Sequence, residues 1–324
     1  MYLESTFKPA WWLTNCHLQT IAAKWFRRKL QVSIIEEVLT TPDDDIIELA
    51  WTELPCSHTI KPIVVILHGL EGSIDSHYAK GMLNTVKKQG WIGVLVHFRG
   101  CGKQLNRKAI SYHSGFTADI EFVAQRLHSL YLHHPKYSIG FSLGGNVLAQ
   151  HLAMQQENAV FNAATIICAP LHLATCSDRI NRGFSKIYQK YLVDMLKTSA
   201  LQKIERGLVN HISQQDIQSI RTMREFDEQF TAPINQYVDA NDYYQRASGL
   251  FNINKITIPT LIIHAKDDPF LAHEHIVSQK QLSKNIQFEV STKGGHVGFI
   301  AGKLPFRPEF WLEHRTMSYL SGYL

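Results

Sequence analysis

The chain has no uninterrupted apolar run approaching the roughly 20 residues that a membrane-spanning helix needs. It also has little cysteine: five residues in 324, widely spaced and without a Cys-x-x-Cys pair. This pattern argues against a disulfide framework and a structural zinc site, and it is typical of a reducing compartment. The first residues lack a basic segment followed by an apolar one, which argues against a secretory signal. We therefore expect a soluble, cytoplasmic protein.

Neither sign of charge dominates the chain, which holds 33 basic and 28 acidic residues. No recognisable nucleic-acid-binding module accompanies this small excess, so we expect no nucleic-acid partner. A solvated helix face explains the one dense basic cluster, but tryptophan and phenylalanine among basic residues also suit peripheral contact with a membrane. The pattern leaves both interpretations open, and the oligomeric state is not predicted. The cluster consists of Lys24, Trp25, Phe26, Arg27, Arg28 and Lys29.

What the chain does contain is an alternation of strand and helix patterns. Apolar residues make up 45% of the sequence, which is enough for a sizeable core. Because strands that alternate with helices form parallel sheets, the sequence predicts an α/β fold with a mostly parallel central sheet. The predicted strands cover 63–67, 91–98, 137–141, 163–168, 260–264 and 286–290, and the predicted helices cover 76–89, 115–132, 144–155, 274–282 and 308–319.

Two segments depart from this alternation. Residues 32–41 and 46–54 have strand patterns on either side of a turn, which predicts an N-terminal antiparallel hairpin. Residues 171–250 are polar and helical in pattern, so we expect a core domain over 1–170 and 251–324 and a helical cap insertion over 171–250. Some cap residues at helix-like spacing are candidates either for an acyl pocket or for packing against the core: Phe184, Tyr188, Tyr191, Leu192, Met195 and Leu196.

The sharpest local signal is Gly140-Phe141-Ser142-Leu143-Gly144, a G-x-S-x-G pattern between a predicted strand and a predicted helix. This setting is typical of a nucleophile elbow, a tight turn that presents a serine hydroxyl at the end of a strand. Glycines flank the serine because larger side chains would collide with the neighbouring strand and helix. The alternative is an ordinary helix start with Ser142 as its N-cap.

A serine hydroxyl needs a base to become a nucleophile, and the base needs an orienting acid. Asp268 follows the predicted strand over 260–264, and the small residue three positions before it and the proline after it favour it over the adjacent Asp267. His296 lies in a glycine-flanked loop after the strand over 286–290. The order serine, aspartate, histidine, each at a strand end, favours a catalytic triad.

Acyl-transfer chemistry also needs amide donors for an oxyanion. We expect one from the backbone N–H of Leu143, directly after the serine, and one from Leu70, where Gly69 lets the backbone turn. His68 would support that loop. No histidine, cysteine or carboxylate cluster at metal-ligand spacing and no dinucleotide- or phosphate-binding motif is present, so we expect no metal and no cofactor.

Several motifs together resemble the α/β-hydrolase superfamily, and within it the YheT-like branch of bacterial hydrolases, which is related to mammalian abhydrolase-domain esterases. The motifs are HGLEGS at 68–73, HFRGCG at 97–102, YHSG at 112–115, GFSLGGN at 140–146, AKDDPF at 265–270 and GGHVGF at 294–299. The resemblance implies the α/β-hydrolase fold and a cofactor-free serine hydrolase, often an esterase on short- or medium-chain acyl substrates. It places the nucleophile on Ser142, the acid on Asp268 and the base on His296.

The residues and the resemblance together predict a carboxylic ester hydrolase that works through an acyl-enzyme. Its substrate partner would be a small-molecule or lipid acyl ester. Two other functions stay open: acyl transfer to an acceptor other than water, and a binding protein of the same fold without turnover. The complete set of triad and oxyanion candidates argues against the binding protein.

Overall fold

The computed structural model describes residues 1–272, 277 and 282–324. Nine strands of this part form the central sheet: β1 (Tyr2–Glu4), β2 (Ile35–Thr40), β3 (Ile46–Trp51), β4 (Ile63–Leu67), β5 (Ile92–His97), β6 (Lys136–Phe141), β7 (Ala163–Ile167), β8 (Thr260–Ala265) and β9 (Ile286–Ser291). Their order across the sheet is β1-β9-β8-β7-β6-β4-β5-β3-β2. β3 pairs antiparallel with β2 and with β5, and the other neighbours are parallel. The mostly parallel sheet with an antiparallel N-terminal hairpin is confirmed.

Helices pack on the sheet, and the segment between β7 and β8 is helical. In chain order they are α1 (Cys16–Phe26), α2 (His77–Lys88), α3 (Ala118–Leu130), α4 (Leu143–Gln155), α5 (Leu173–Ile180), α6 (Ser185–Glu205), α7 (Gln214–Ser219), α8 (Met223–Phe226), α9 (Ala232–Ile234), α10 (Ala240–Ala247) and α11 (Trp311–Ser321). A separate two-stranded sheet pairs β10 (Ile300–Ala301) with β11 (Glu309–Phe310).

The strand β4 illustrates why the central strands form. All of its residues are apolar and fully buried, and most are β-branched, which suits a strand that is covered on both faces. Its side chains alternate between two cores: Val65 and Leu67 pack in the core that includes α3 and α4, and Val64 and Ile66 in the core that includes α2 and α11. Since neighbouring strands are parallel, their carboxyl ends meet at one edge, where the candidate site residues follow.

Residues 171–250 contain six α-helices, α5 to α10, a π-helical stretch over Asp227–Thr231, and no strand. The helical character predicted for this segment is therefore observed. The segment also has an apolar cluster of its own, in which Val193, Ile217, Phe226 and Phe230 are buried together. The division of the chain into a core domain and a cap domain stays a prediction.

Some elements differ from the sequence-based expectations. β1 and the small β10–β11 sheet are not predicted by any local pattern, and α1 is anticipated only at its basic end, by the interpretation of that cluster as a solvated helix face. The closing helix, predicted over 308–319, begins at Trp311, because the two residues before it pair with β10. Most of the helix predicted over 274–282 lies outside the described residues.

The structure corrects the prediction that Arg27 is part of a membrane-contacting cluster. Arg27 is buried, forms an ion pair with Glu313 and places its guanidinium carbon 3.5 Å from the centre of the Phe310 ring. Burying Glu313 requires an opposite charge nearby, so Arg27 turns inward. Phe26 packs edge-on against Trp12 and is only partly exposed. The members of the cluster that stay exposed are Lys24, Trp25, Arg28 and Lys29.

Candidate active site

Ser142 occupies the tight turn between β6 and α4. Its φ of 50° and ψ of −121° lie outside the ordinary regions for a residue with a side chain. A Cβ atom on Gly140 would lie 2.5 Å from the carbonyl oxygen of Gly144, and one on Gly144 would lie 2.3 Å from that of His68, so both positions require glycine. The Ser142 hydroxyl makes no N-cap hydrogen bond, which excludes the interpretation as an ordinary helix start.

His296 connects the Ser142 hydroxyl to Asp268. Its Nε2 lies 3.0 Å from Ser142 Oγ, and its Nδ1 lies 2.8 Å from Asp268 Oδ2. The Asp268 carboxylate is buried, and its Oδ1 accepts the N–H of Phe270 at 2.8 Å. The Phe270 ring stacks on the imidazole with 4.1 Å between the ring centroids. The structure thus brings the three predicted triad residues together, with each imidazole nitrogen facing one partner.

The neighbouring aspartate, Asp267, has different partners. Its Oδ1 accepts the N–H of Gly295 at 3.0 Å, and its Oδ2 lies 3.9 Å from Lys293 Nζ. Asp267 therefore stabilises the loop that contains His296 by binding its backbone at Gly295. Of the two adjacent aspartates, Asp268 is the one that reaches the imidazole.

Helix α1 holds the loop of His296 in place, and sequence analysis did not identify this role. Thr20 Oγ1 accepts the backbone N–H of His296 at 2.9 Å. Gln19 donates from Nε2 to the carbonyl oxygen of Ile300 at 2.9 Å, and its Oε1 accepts the N–H of Ile300 at 2.6 Å. A Cβ atom on Gly298 would lie 2.4 Å from the Gln19 carbonyl oxygen. The glycines around His296 are the sequence signal for this close approach, although they do not identify the partner.

Cys168, buried at the end of β7, is a further residue that the sequence does not point to. Its φ is 50°, and its Sγ accepts the N–H of Val297 at 3.5 Å. The potential metal-ligand atoms of Cys168, Asp268 and His296 lie within 4.8 Å of one another, and the described part of the chain holds no other such group. Burial raises the pKa of the Cys168 thiol well above its usual range, whereas a metal ligand must be a thiolate. Since the other two side chains already bond each other, this donor set does not favour a metal.

The two predicted oxyanion donors lie on either side of Ser142. Leu143 is the first residue of α4, directly after the serine. Leu70 lies in the loop after β4, and this loop runs against the serine: a Cβ atom on Gly69 would lie 3.2 Å from Ser142 Cβ.

Two tyrosines hold the backbone on either side of Leu70. The N–H of Gly69 donates to Tyr78 Oη at 2.8 Å, and the N–H of Glu71 donates to Tyr112 Oη at 2.7 Å. Within the described ranges the Leu70 N–H has no acceptor. The Leu70 N–H, which the sequence predicts as an oxyanion donor, is therefore the one amide of residues 69–71 without an acceptor.

His68 supports the same loop from inside the core. It is fully buried, its Nε2 accepts the N–H of Phe98 at 3.1 Å, and its Nδ1 lies 2.7 Å from the Gly69 carbonyl oxygen. Burial lowers the pKa of His68 to about 3. The ring is therefore neutral, so that one nitrogen accepts a hydrogen bond while the other donates.

A cavity of about 760 Å³ opens at Ser142 and His296, between the sheet and the helices of residues 171–250. Phe184, one of the six candidates for an acyl pocket or for packing, does not line it. Phe184 precedes the first turn of α6 and packs on His17, with 4.4 Å between the ring centroids. The other five candidate cap residues do line the cavity: Tyr188, Tyr191, Leu192, Met195 and Leu196.

Glu71 ties α6 to the loop of Leu70, a contact that the sequence does not predict. Its carboxylate accepts the Tyr112 hydroxyl at 2.8 Å and the Ser199 hydroxyl at 2.7 Å. Burial raises the pKa of Glu71. One turn further along α6, Lys203 donates to Asn106 Oδ1 at 2.8 Å. These polar contacts join α6 to the loops after β4 and β5 beside the cavity.

A parallel sheet of this order, with a serine on a strained strand-to-helix turn and the acid and base on loops after later strands, defines the class of α/β hydrolases. Residues 62–303 match the family model described as alpha/beta hydrolase fold. The chain belongs to this family, and it is a hydrolase.

Similar proteins extend this match over almost the whole chain. "Putative esterase YheT" of Escherichia coli (strain K12) is 42% identical over 323 residues, which cover 99% of this chain and 94% of that protein. "Phospholipase ABHD3" of Mus musculus is 26% identical over 309 residues, which cover 94% of this chain and 75% of that protein. The Pyrococcus furiosus esterase Pf2001 is similar in fold, with a TM-score of 0.59 at 17% identity over 91% of this chain and 92% of that one. The resemblance to the YheT-like branch is confirmed.

Proposed function

We propose that this hydrolase cleaves carboxylic esters of short- or medium-chain acyl groups through a covalent acyl-enzyme. The observation that carries the proposal is the continuous hydrogen-bonded path from Ser142 through His296 to Asp268, with contacts of 3.0 and 2.8 Å. His296 takes the proton of Ser142 as its oxygen attacks the ester carbonyl, and it then gives that proton to the leaving alkoxide. Asp268 keeps the imidazole oriented and stabilises its charged form.

The tetrahedral intermediate carries a negative charge that preorganised donors must stabilise. We assign this role to the N–H groups of Leu70 and Leu143. The free amide of Leu70 supports the first assignment. The position of Leu143 at the N-terminus of α4 supports the second, because the helix dipole favours an anion there. A water molecule activated by His296 then attacks the acyl-enzyme and releases the carboxylic acid.

The apolar lining of the cavity supports the proposal that the protein recognises the acyl group of its substrate. Leu192, Met195 and Leu196 of α6 line it, and burial of an acyl chain contributes about 0.8 kcal/mol per methylene. An ester substrate is also consistent with relatives that are named esterase and phospholipase.

The test is the Ser142→Ala variant, assayed with p-nitrophenyl esters of graded chain length and with a fluorophosphonate probe. We expect the wild-type protein to hydrolyse the esters and to be labelled, and the variant to do neither while keeping its circular dichroism spectrum. Ser129→Ala, in an exposed turn of α3 outside the cavity, is the matched control.

Full turnover by the folded Ser142→Ala variant would overturn the proposal. A wild-type protein that folds but neither reacts with the probe nor hydrolyses any ester of the series would instead indicate a binding protein. Product analysis with added alcohol separates hydrolysis from acyl transfer, because transfer yields a new ester in place of the free acid.

A further inference from the structure

One face of α1 presents large apolar side chains to solvent. Leu18, Ile21 and Trp25 follow one another at spacings of three and four residues, which places them on the same side of the helix. All three are exposed. A helix that packs in a globular protein normally buries such a stripe, so this stripe requires an explanation.

A second stripe lies beside it, at the start of α6. Phe184, Ile187 and Tyr191 have the same spacing and are also exposed. The two stripes are adjacent, because the rings of His17 and Phe184 lie 4.4 Å apart between centroids and His17 Nδ1 lies 3.2 Å from Tyr188 Oη.

We call the six residues of these two stripes the mouth face: Leu18, Ile21, Trp25, Phe184, Ile187 and Tyr191. Their side chains are between 48 and 72% exposed. Ile21, Ile187 and Tyr191 also line the cavity that contains Ser142. The mouth face is therefore an apolar surface at the entrance of an apolar cavity, and exposed patches of this kind mark interaction sites.

The charges around the mouth face are predominantly basic. Two nearby acidic side chains are neutralised by lysines, since Lys190 lies 2.6 Å from Asp194 and Lys80 lies 2.7 Å from Asp75. Apart from Lys190, the exposed basic residues next to the two stripes along the chain are Lys24, Arg28, Lys29, Arg182 and Lys186, and Asp178 is an exposed acidic residue beside them.

We propose that the mouth face docks on the surface of an anionic phospholipid membrane. Aromatic and aliphatic side chains enter the interfacial region while the basic residues contact the lipid phosphates, the pattern of an interfacial helix. A second copy of the chain fits less well, because a two-fold contact would bring the same basic residues of both copies together. The further consequence, that acyl esters enter the cavity directly from the membrane, rests on the proposed function.

The test is vesicle co-sedimentation of the Ser142→Ala variant, which binds without turning over lipid. One set of vesicles contains phosphatidylcholine alone, and the other contains equal amounts of phosphatidylcholine and phosphatidylglycerol. We expect stronger binding to the anionic set, weakened by added salt because salt screens the attraction.

Adding Trp25→Glu or Phe184→Glu should remove the binding, since each change puts a carboxylate on the apolar face. Neither residue lines the cavity, so the site itself is left unchanged. Val238→Glu, at an exposed cap valine outside the mouth face, is the matched control.

The basic residues are tested by their own variant. Replacing both Arg28 and Lys29 with glutamine should weaken binding to the anionic vesicles about 25-fold, because each basic residue at such a surface contributes about fivefold. Binding to the phosphatidylcholine vesicles should change little.

Equal binding by the Trp25→Glu and Val238→Glu variants, or equal binding to both sets of vesicles, would overturn the proposal. So would a dimer in light scattering that Trp25→Glu dissociates, since the face would then belong to a second copy. The binding measurements do not depend on the proposed esterase function, because they use the Ser142→Ala variant, which needs no activity to bind vesicles. Circular dichroism verifies folding, and Trp25→Glu alone should keep the wild-type rate on soluble p-nitrophenyl acetate.

Discussion

Ser142 sits in a backbone conformation that costs about 1–3 kcal/mol for a residue with a side chain. Its N–H donates to the carbonyl oxygen of Ile167 at 2.8 Å, and its carbonyl oxygen accepts the N–H of Gly145 at 2.9 Å. These bonds on both sides of the turn maintain the strained angle. The result is a hydroxyl that faces His296 rather than the first turn of its own helix.

The two adjacent aspartates give a sharp test of the triad, because they differ by one position and in their partners. Asp268→Asn should lower kcat by about three to four orders of magnitude, since an amide no longer holds the imidazole in the productive tautomer. Asp267→Asn should cost far less, because its side chain contacts the loop rather than the ring. Steady-state kinetics on one ester measures both. The reverse ranking would assign the acid to Asp267.

The segments with a strong local pattern were predictable. β4 is a run of buried β-branched residues, and the glycines of the elbow specify the turn between β6 and α4. The proximity of the three proposed triad residues could be predicted because each follows a strand end, and parallel strands bring such ends together. The order of Ser142, Asp268 and His296 along the chain was therefore sufficient to propose Asp268 as the acid and His296 as the base.

The segments that pack through distant partners were not predictable. β1 has three residues, and its pairing depends on β9. α1 is fixed by bonds from Gln19 to Ile300 and from Thr20 to His296. The glutamate at position 71 likewise has partners on two separate elements, Tyr112 and Ser199. None of these contacts leaves a period or spacing in the local sequence, since the partner is far along the chain.

The lining of the cavity by α6 predicts that this helix controls acyl chain length. Leu192→Trp should fill part of the cavity and lower the rate on p-nitrophenyl octanoate by about tenfold relative to the acetate, the scale of an overpacked apolar site. The acetate itself should be hydrolysed at nearly the wild-type rate. Val238→Trp, at an exposed position between α9 and α10, is the control and should leave both rates unchanged. Identical chain-length profiles for the two variants would contradict a specificity role for α6.

Several buried histidines make the folded protein sensitive to acid. Burial lowers the pKa of His68 to about 3 and the pKa values of His113, His151 and His264 to about 4. In the unfolded chain each ring binds a proton near pH ~6.5. Between pH 6.5 and 4 the unfolded state therefore binds more protons than the folded state, so these groups lower the free energy of unfolding as the pH falls. Asp227 acts in the opposite direction, because burial raises its pKa to about 6.

A single variant isolates the histidine contribution. His151 is buried, neither ring nitrogen has a hydrogen-bond partner in the structure, and Glu121 lies 3.5 Å away. With a pKa of about 4 the ring is neutral near neutral pH, so this contact is not an ion pair there. His151→Leu should gain stability relative to the wild type as the pH falls from 6.5 to 4, by up to about 3 kcal/mol. Urea unfolding across this range measures the difference. A constant difference would show that folding does not lower the pKa of His151.

The loop of His296, the proposed base, is held in place by β1 and α1, which lie far from it along the chain. β1 pairs with β9, with Tyr2 opposite Phe288, and Thr20 of α1 holds the backbone of His296. On the ribosome, the N-terminal segment therefore emerges long before the strand and loop against which it packs, and such long-range pairing is the slow part of folding. A nascent chain that extends past Ser142 but does not reach Ile286 contains the proposed nucleophile but not the proposed base, His296. In the proposed mechanism, a translation product that ends upstream of Ile286 is therefore inert.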